Sequence, residues 1–541
     1  MSGELPTPSQ LSRHLRHLAL VYTLHDQERR AKACTRAAWP LSQLSPQALL
    51  AAHQAGTLGQ LRGVDPIAAK AAARFLDGTP QPGLSELEDQ TPAGLFDLAR
   101  LPGLGAAKVK ALWTELGVND LTSLQDAVDE SRLNALPGFG PKTRSKLIKG
   151  LAHALGAAGK VRRDTAQQAL AALTPLLDAQ CAAWEEVGPL AQGHELVHHL
   201  HIVAIGAPEL PESAVEVTLA PTDRAAFGVR VLQLSSDPAH AAQLDLDAPE
   251  LLGLDADAIY QHRGFHPTPI ERRRADIPLV RLAQRRPRLV RRSDLQGALH
   301  NHTTASDGRD SLEAMREAAA QRGLRYLGIS EHSQSSVWAR GLEPERLRSQ
   351  GEQLRALNGQ GHTCRLLAGV EADILKEGDL DYPDTQLHPL DFVVASVHQR
   401  FSLPPQDTLA RMTRATSAVC ADIMGHPTGR LLLSRPPNDF DMELWLQHCA
   451  RMGVAVELNA SPKRMDLAPQ WLARAKELGV PVSIAADAHR CSELDNLDHG
   501  VALARRAGLG PDDVLNTRSA ADVLAWVQQR RAARRAQVGP G

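Results

Sequence analysis

Aromatic side chains are scarce, 4% of 541 residues, against 43% that are apolar. Cores must therefore be built mainly from Ala, Leu and Val. Cysteine is scarce as well. Cys34, Cys181, Cys364, Cys420, Cys449 and Cys491 are scattered and form no CxxC. That excludes a zinc site of paired thiolates, disfavours a disulfide framework and fits a reducing compartment. No apolar run is long enough to span a bilayer. The opening stretch MSGELPTPSQ lacks a basic-then-apolar signal. The expectation is a soluble, cytoplasmic protein with no membrane partner. An excess of either charge is also missing: the net charge is -2. Charge must then be read locally, and it leaves a nucleic-acid partner open.

The length exceeds what one core can serve, so about three or four folded domains are expected. Residues 1–155 read as all-helical, with short loops rich in Pro and Gly, and split at 80/81. Residues 156–262 begin helical and then turn to VHHLHIVAI, AVEVTLA and FGVRVLQL, an alternation that predicts half-buried strands. Residues 263–294 are rich in Arg and Pro without a period, and read as an interdomain linker. From 295 to 541 short apolar strands alternate with amphipathic helices, the pattern of an α/β domain with parallel strands. The closing QQRRAARRAQVGPG reads as a helix end that frays.

Two stretches share one design, LARLPGLGAAKVKALWTELGV (98–118) and LNALPGFGPKTRSKLIKG (133–150). An apolar helix end meets Pro-Gly-x-Gly and a new helix starts at once. Gly103, Gly105, Gly138 and Gly140 permit a tight turn and leave the new helix's first amides facing outward, an anion site. Lys108 and Lys110, then Lys142 and Lys146, follow in the first turns. Such helix-hairpin-helix modules hold a DNA strand by its phosphates without reading sequence. A weaker third copy, LGQLRGVDPIAAKAAARFL (58–76), has Asp65 in place of the second glycine.

HELVH, at 194–198, matches the H-E-x-x-H pattern of zinc proteases. That pattern needs a helix, so that the two imidazoles share a face. Gly193 and the alternating VHHLHIVAI predict a turn and a strand instead. The match reads as coincidence.

In the C-terminal region the same event recurs at successive strand ends. DLQGALHNH ends at His300 and His302, with Asp307 soon after; RYLGISEH ends at His332, RLLAGVE at Glu371, DFVVASVH at His398, ADIMGH at His426, and PVSIAADAH at Asp487 and His489. Parallel barrels gather strand C-termini on one face. Nine imidazoles and carboxylates suit two or three divalent ions, manganese, zinc or iron. Such ions would activate water and clamp a phosphoryl group. These residues resemble the PHP (polymerase and histidinol phosphatase) domain, a distorted (β/α)7 barrel. ALHNHTTASDG, ISEHS, GVEADI, SVHQR, GHP and DAH match its motifs, and all nine ligand positions are filled. Ala298 stands where the family often has a supporting Asp, which predicts looser ligand orientation. Within NASPKRMDL, Lys463 and Arg464 are candidates to hold substrate phosphate.

Helix-hairpin-helix modules followed by a PHP domain resemble the bacterial and archaeal family X DNA polymerases of the PolX type. The resemblance implies a lyase-like helical domain at 1–80, a fingers-like domain at 81–155, a nucleotidyltransferase palm and thumb of α+β type at 156–262, and the PHP phosphoesterase at 295–541. It also implies an Asp-x-Asp strand and a third Asp that hold magnesium for nucleotidyl transfer. Here His199, His201 and Thr218 occupy those positions, and Pro189 replaces a serine after Gly188. Imidazole is a poor magnesium ligand. Lys70 aligns with a lysine that attacks abasic sugars in eukaryotic relatives. The expectation is a DNA-binding, metal-dependent 3′–5′ exonuclease acting in repair on gapped, single-stranded or 3′-ended DNA and associated with the nucleoid, with an inactive polymerase core. Three alternatives stand: a manganese-dependent polymerase, a phosphomonoesterase of histidinol-phosphatase type, and a DNA-binding scaffold. The sequence leaves the oligomeric state open.

Overall fold

The computed structural model describes residues 6–538. Its chain divides into two compact units, one ending at Ala158 and one beginning at Gly159.

The first unit is helical throughout. Helices Pro8–Leu24, Glu28–Ser42 and Pro66–Leu76 close on Leu11, Leu15, Leu18, Cys34, Leu41 and Ala72. A second core gathers Leu95, Val109, Leu112, Leu124, Phe139 and Leu147, and Leu20 and Leu24 of the first helix reach into it. Both cores are built of leucine and alanine, as the scarcity of aromatics requires.

The second unit opens with small sheets. β1 (Val161–Arg162) pairs antiparallel with β3 (Leu196–Val197), and β4 (His199–Ile205) lies between β2 (Ala183–Glu186) and β5 (Glu216–Pro221). FGVRVLQL departs from expectation. It forms the helix Phe227–Ser235, burying Val229, Val231, Leu232 and Ser235. Its apolar residues fit either period over so short a run, and packing against β4 decides for the helix.

The stretch 263–294 is no free linker in its first half. Buried Arg273 donates to the Thr268 carbonyl, and Glu271 pairs with Arg505. Residues 281–288 are exposed.

Seven parallel strands then form one sheet in chain order: β6 (Gly297–Ala298), β7 (Tyr326–Ile329), β8 (Arg365–Asp373), β9 (Phe392–Ser396), β10 (Ile423–Gly425), β11 (Ala455–Asn459) and β12 (Val482–Ala485). A parallel bridge from Asn301 to Ala488 nearly closes them into a barrel. The strand starts plug its floor: Tyr326, Phe392, Ile423 and Ala455 pack on Leu515, Val523 and Val527. Glycines make room for the two rings. A Cβ on Gly297 would lie 2.2 Å from Tyr326, and one on Gly369 2.4 Å from Phe392. With apolar groups filling the floor, the candidate ligands gather at the other end.

The arginine-rich tail docks rather than frays. Helix Ala520–Val538 buries Arg530, Arg531 and Arg534. Arg530 and Arg531 both bind the buried carboxylate of Asp422, just before β10. Replacing Asp422 with Ala strands two buried guanidinium groups, a change that costs about 3–5 kcal/mol. Urea unfolding of the Asp422→Ala protein should show that loss. A change below about 1 kcal/mol would mean the tail helix is not held this way.

Candidate metal centre

Six of the seven strands of the barrel deliver ligands at the same rim. His300 and His302 follow β6, His332 follows β7, Glu371 lies in β8, His398 follows β9, His426 follows β10, and Asp487 and His489 follow β12. Three of these residues adopt left-handed backbone: φ is 71° at His300, 50° at Asp487 and 25° at His426. Side chains with a Cβ avoid that region unless their surroundings force it. The strain aims each side chain back over the barrel axis.

Glu371 is fully buried at the middle. Its carboxylate oxygens lie 2.8 Å from His332 Nδ1, 3.0 Å from His426 Nε2, 3.1 Å from His398 Nε2, 3.3 Å from His300 Nε2 and 3.8 Å from His302 Nε2. Asp487 stands 3.5 Å from His302 and 3.7 Å from His489, and Asp307 stands 3.3 Å from His489. All nine expected ligands are thus brought together, in four overlapping groups whose ligand atoms lie within 4.8 Å of one another. Several of those atoms have no hydrogen-bond partner although buried: His300 Nε2, both ring nitrogens of His302, His426 Nδ1 and Asp307 Oδ1. Buried polar atoms are rarely left so. Divalent cations would satisfy them, and the donor set of imidazole and carboxylate suits such ions.

The protonation tendencies divide the rings: His302 and His426 are pushed down, while carboxylates raise His300, His398 and His489. Burial, then the His489 and His332 imidazoles, push His302 down to about 3. Burial and Arg464 push His426 down to about 4. Both rings are therefore neutral, as a metal ligand must be. Burial opposes charge on His398, but Glu371 and Asp373 outweigh it and raise the ring to about 10. Burial also works against ionised Glu371, and the surrounding imidazoles still hold it well below its ordinary range.

An outer layer orients the ligands, and sequence reasoning missed it. Glu457, buried in β11, accepts from His300 Nδ1 at 2.6 Å and from the His426 amide at 3.0 Å. It supports the His300 ring from β11, where Ala298 of β6 offers no carboxylate. Asp373 holds His398 Nδ1. Glu331, beside His332, accepts from the Thr303 amide at 3.0 Å and steadies the loop that carries Asp307. The motif VAVELNAS could have revealed Glu457, as a lone carboxylate in an otherwise apolar strand. Of the two phosphate candidates, Arg464 faces the centre, with Nε 3.5 Å from Asp487 and Nη1 buried without a partner. Lys463 is exposed.

In the first unit the two strong hairpins have matching geometry. Gly103 and Gly138 are left-handed, with φ of 87° and 83°. Gly105 and Gly140 cap helices Ala106–Leu116 and Pro141–Ala157. Lys142 and Lys146 are exposed, Lys108 bonds the Gly103 carbonyl at 3.0 Å, and Lys110 pairs with Asp26. The third copy differs. Asp65 accepts from the amides of Ile67 and Ala68, so its own carboxylate fills the anion site. Lys70 is exposed on that helix.

The palm positions also come together. His201 pairs with Thr218 across β4 and β5, and the rings of His199 and His201 are 5.7 Å apart. Burial lowers both imidazoles, helped by Arg230 at His201. Among the described residues, neither ring joins a metal-ligand cluster. Glu186 occupies the Gly188 turn, accepting from the amides of Gly188 at 2.8 Å and Ala191 at 2.6 Å. HELVH runs from a turn through β3 to the residue before β4, not along a helix. Its His194 is pushed down to about 4 by burial and by Arg506, and its Glu195 pairs with Arg430 of the barrel.

The PHP domain family matches residues 298–461, and the SAM-like helix-hairpin-helix tandem family matches residues 96–152. A protein of Bacillus subtilis (strain 168) named DNA polymerase/3′-5′ exonuclease PolX is 30% identical over 509 residues, 84% of this chain and 88% of that protein. Two proteins named "Probable phosphatase" match the barrel region. The one from Caldanaerobacter subterraneus subsp. tengcongensis is 28% identical over 43% of this chain and 91% of its own length. The one from Vibrio parahaemolyticus is 31% identical over 40% of this chain and 88% of its own length.

Removing the Glu457 carboxylate should free the His300 ring and weaken divalent-ion binding about 10- to 100-fold. The check is metal retained by Glu457→Gln after dialysis against graded chelator. Retention equal to the parent protein would refute the orienting role.

Proposed function

The chain belongs to the PolX family of DNA polymerase/3′–5′ exonucleases, and from that premise we propose that it trims DNA 3′ ends at the barrel mouth and does not polymerise. The observation that carries this reading is a contrast within one unit. The barrel rim holds nine converging ligands with buried, unpartnered ligand atoms. The palm holds His199, His201 and Thr218 where two magnesium ions would need carboxylates, and its turn amides are already taken by Glu186.

Two or three divalent ions, manganese, zinc or iron, are expected at the rim; when bound they supply Lewis acidity that activates water and draws charge off the phosphate. The protein's part is positioning. Glu371 lies among five imidazoles and shares its two oxygens across the groups. Arg464 offers a free guanidinium nitrogen to the phosphate beside Asp487. The hairpins of the first unit grip the strand through Gly105 and Gly140 amides and through Lys142 and Lys146. A phosphomonoesterase gains nothing from such a grip, which favours a DNA substrate over a small one. Repair of gapped or frayed DNA is the setting this combination suits.

One incubation tests the reading. A 5′-labelled, 3′-recessed primer on its template is given manganese and all four dNTPs. Shortened products alone are expected, and Glu371→Gln should abolish them. Extended products that persist in Glu371→Gln would overturn it. The hairpin role has its own signature. Lys142→Ala with Lys146→Ala should weaken binding to oligonucleotides of any sequence and lower the slope of log K against log salt by about 1 to 2. An unchanged slope would remove these lysines from the DNA contact.

A further inference from the structure

Trp338 is 64% exposed and its neighbour Val337 80% exposed; among the other aromatic side chains of the described residues, Trp39 alone is as open to solvent. Its place is the rim of the metal centre. The indole lies 5.2 Å from the ring of His332 and 6.0 Å from that of His398, centroid to centroid.

The loop that carries it is built, not loose. Ser336 Oγ donates to Asp373 at 3.0 Å, and the same carboxylate holds the ligand His398. The Ser335 amide donates to Asp381 at 3.0 Å, and the Gly341 amide closes the turn on the Ser336 carbonyl at 3.1 Å. Ala339 and Leu342 on the far side are buried, and a Cβ on Gly341 would strike the Ser333 carbonyl at 1.8 Å. A loop fixed from both flanks could have turned its indole inward. It forgoes that burial and presents a flat apolar face to solvent, one nucleotide's reach from any phosphate held at the ligands.

We propose that Trp338 is the stacking platform for the base of the 3′-terminal nucleotide, so that the centre selects unpaired ends. The inference rests on the nuclease reading above and deepens it. A paired terminal base is held in the duplex by its base-pair hydrogen bonds and by stacking on its inner neighbour, so turning it onto the indole costs unpairing and unstacking. An unpaired one offers a π-face, and stacking on an aromatic ring is indifferent to which base it is. Val337 extends the apolar surface at the edge.

Two 5′-labelled single strands test it, identical except that one ends in an abasic 3′ residue. The parent protein should show a KM about 10-fold lower for the base-bearing end. In Trp338→Ala that preference should vanish, and in Trp338→Phe it should largely return. A preference unchanged in Trp338→Ala overturns the platform. A binding measurement separates this idea from the nuclease reading. Oligo-dT should quench emission in the parent protein by more than in Trp338→Phe, the difference being the signal of Trp338. Quenching without shortening of either strand by the parent would defeat the nuclease reading and leave the platform. No difference in quenching would defeat the platform whatever is cleaved.

Discussion

A carboxylate with no exposed surface, within 4 Å of five imidazoles, is the constraint around which the C-terminal barrel is arranged. Removing Glu371 from water is costly, and so is crowding imidazoles that repel one another once protonated. The fold meets that cost in layers. Apolar residues fill the floor, and the ligand carboxylates sit at the opposite end. Three left-handed backbone turns aim His300, His426 and Asp487 inward. Behind them Glu457, Asp373 and Glu331 take up ring nitrogens and loop amides. What is left unsatisfied is a set of ligand atoms pointing at one another, and cations complete that arrangement.

The barrel and its ligands were legible in the sequence because two periodic signals coincide there. Apolar strands recur at a steady spacing, and six of the seven close on a ligand type. A parallel barrel converts that one-dimensional recurrence into a three-dimensional cluster. The hairpins were legible for a similar reason, since a Pro-Gly-x-Gly turn has few conformations open to it. The supporting groups were not. Glu457 lies inside a strand whose neighbours are apolar, and only the register of β11 against β10 brings it to His300 and His426. Trp338 sits in a loop, where neither period applies. FGVRVLQL was misread because eight residues cannot distinguish the two periods, and the arginine tail because its partner, Asp422, is more than a hundred residues away.

The same logic separates the two catalytic candidates of the second unit. A centre that holds several cations needs negative charge nearby, since imidazole contributes ligand atoms but no charge. The barrel rim keeps Glu371, Asp307 and Asp487 among its ligands. The palm face presents His199, His201 and Thr218, with Arg230 close enough to depress His201 further. Glu186, the carboxylate nearest the turn, is committed to backbone amides.

HELVH shows what the palm does in exchange. Its turn is packed against the barrel rather than open: the Gln192 carbonyl accepts from Arg506 at 2.8 Å, and a Cβ on Gly193 would lie 3.1 Å from the Ala502 carbonyl. Glu195 then pairs with Arg430, whose Nε donates to the carbonyl of Arg464 at 2.9 Å. Arg464 is the residue that faces Asp487 in the metal centre. One ion pair and one bond to a backbone carbonyl therefore connect this turn to the loop that carries Arg464. A string that spells a protease motif is the brace between the small sheet of β4 and β5 and the barrel.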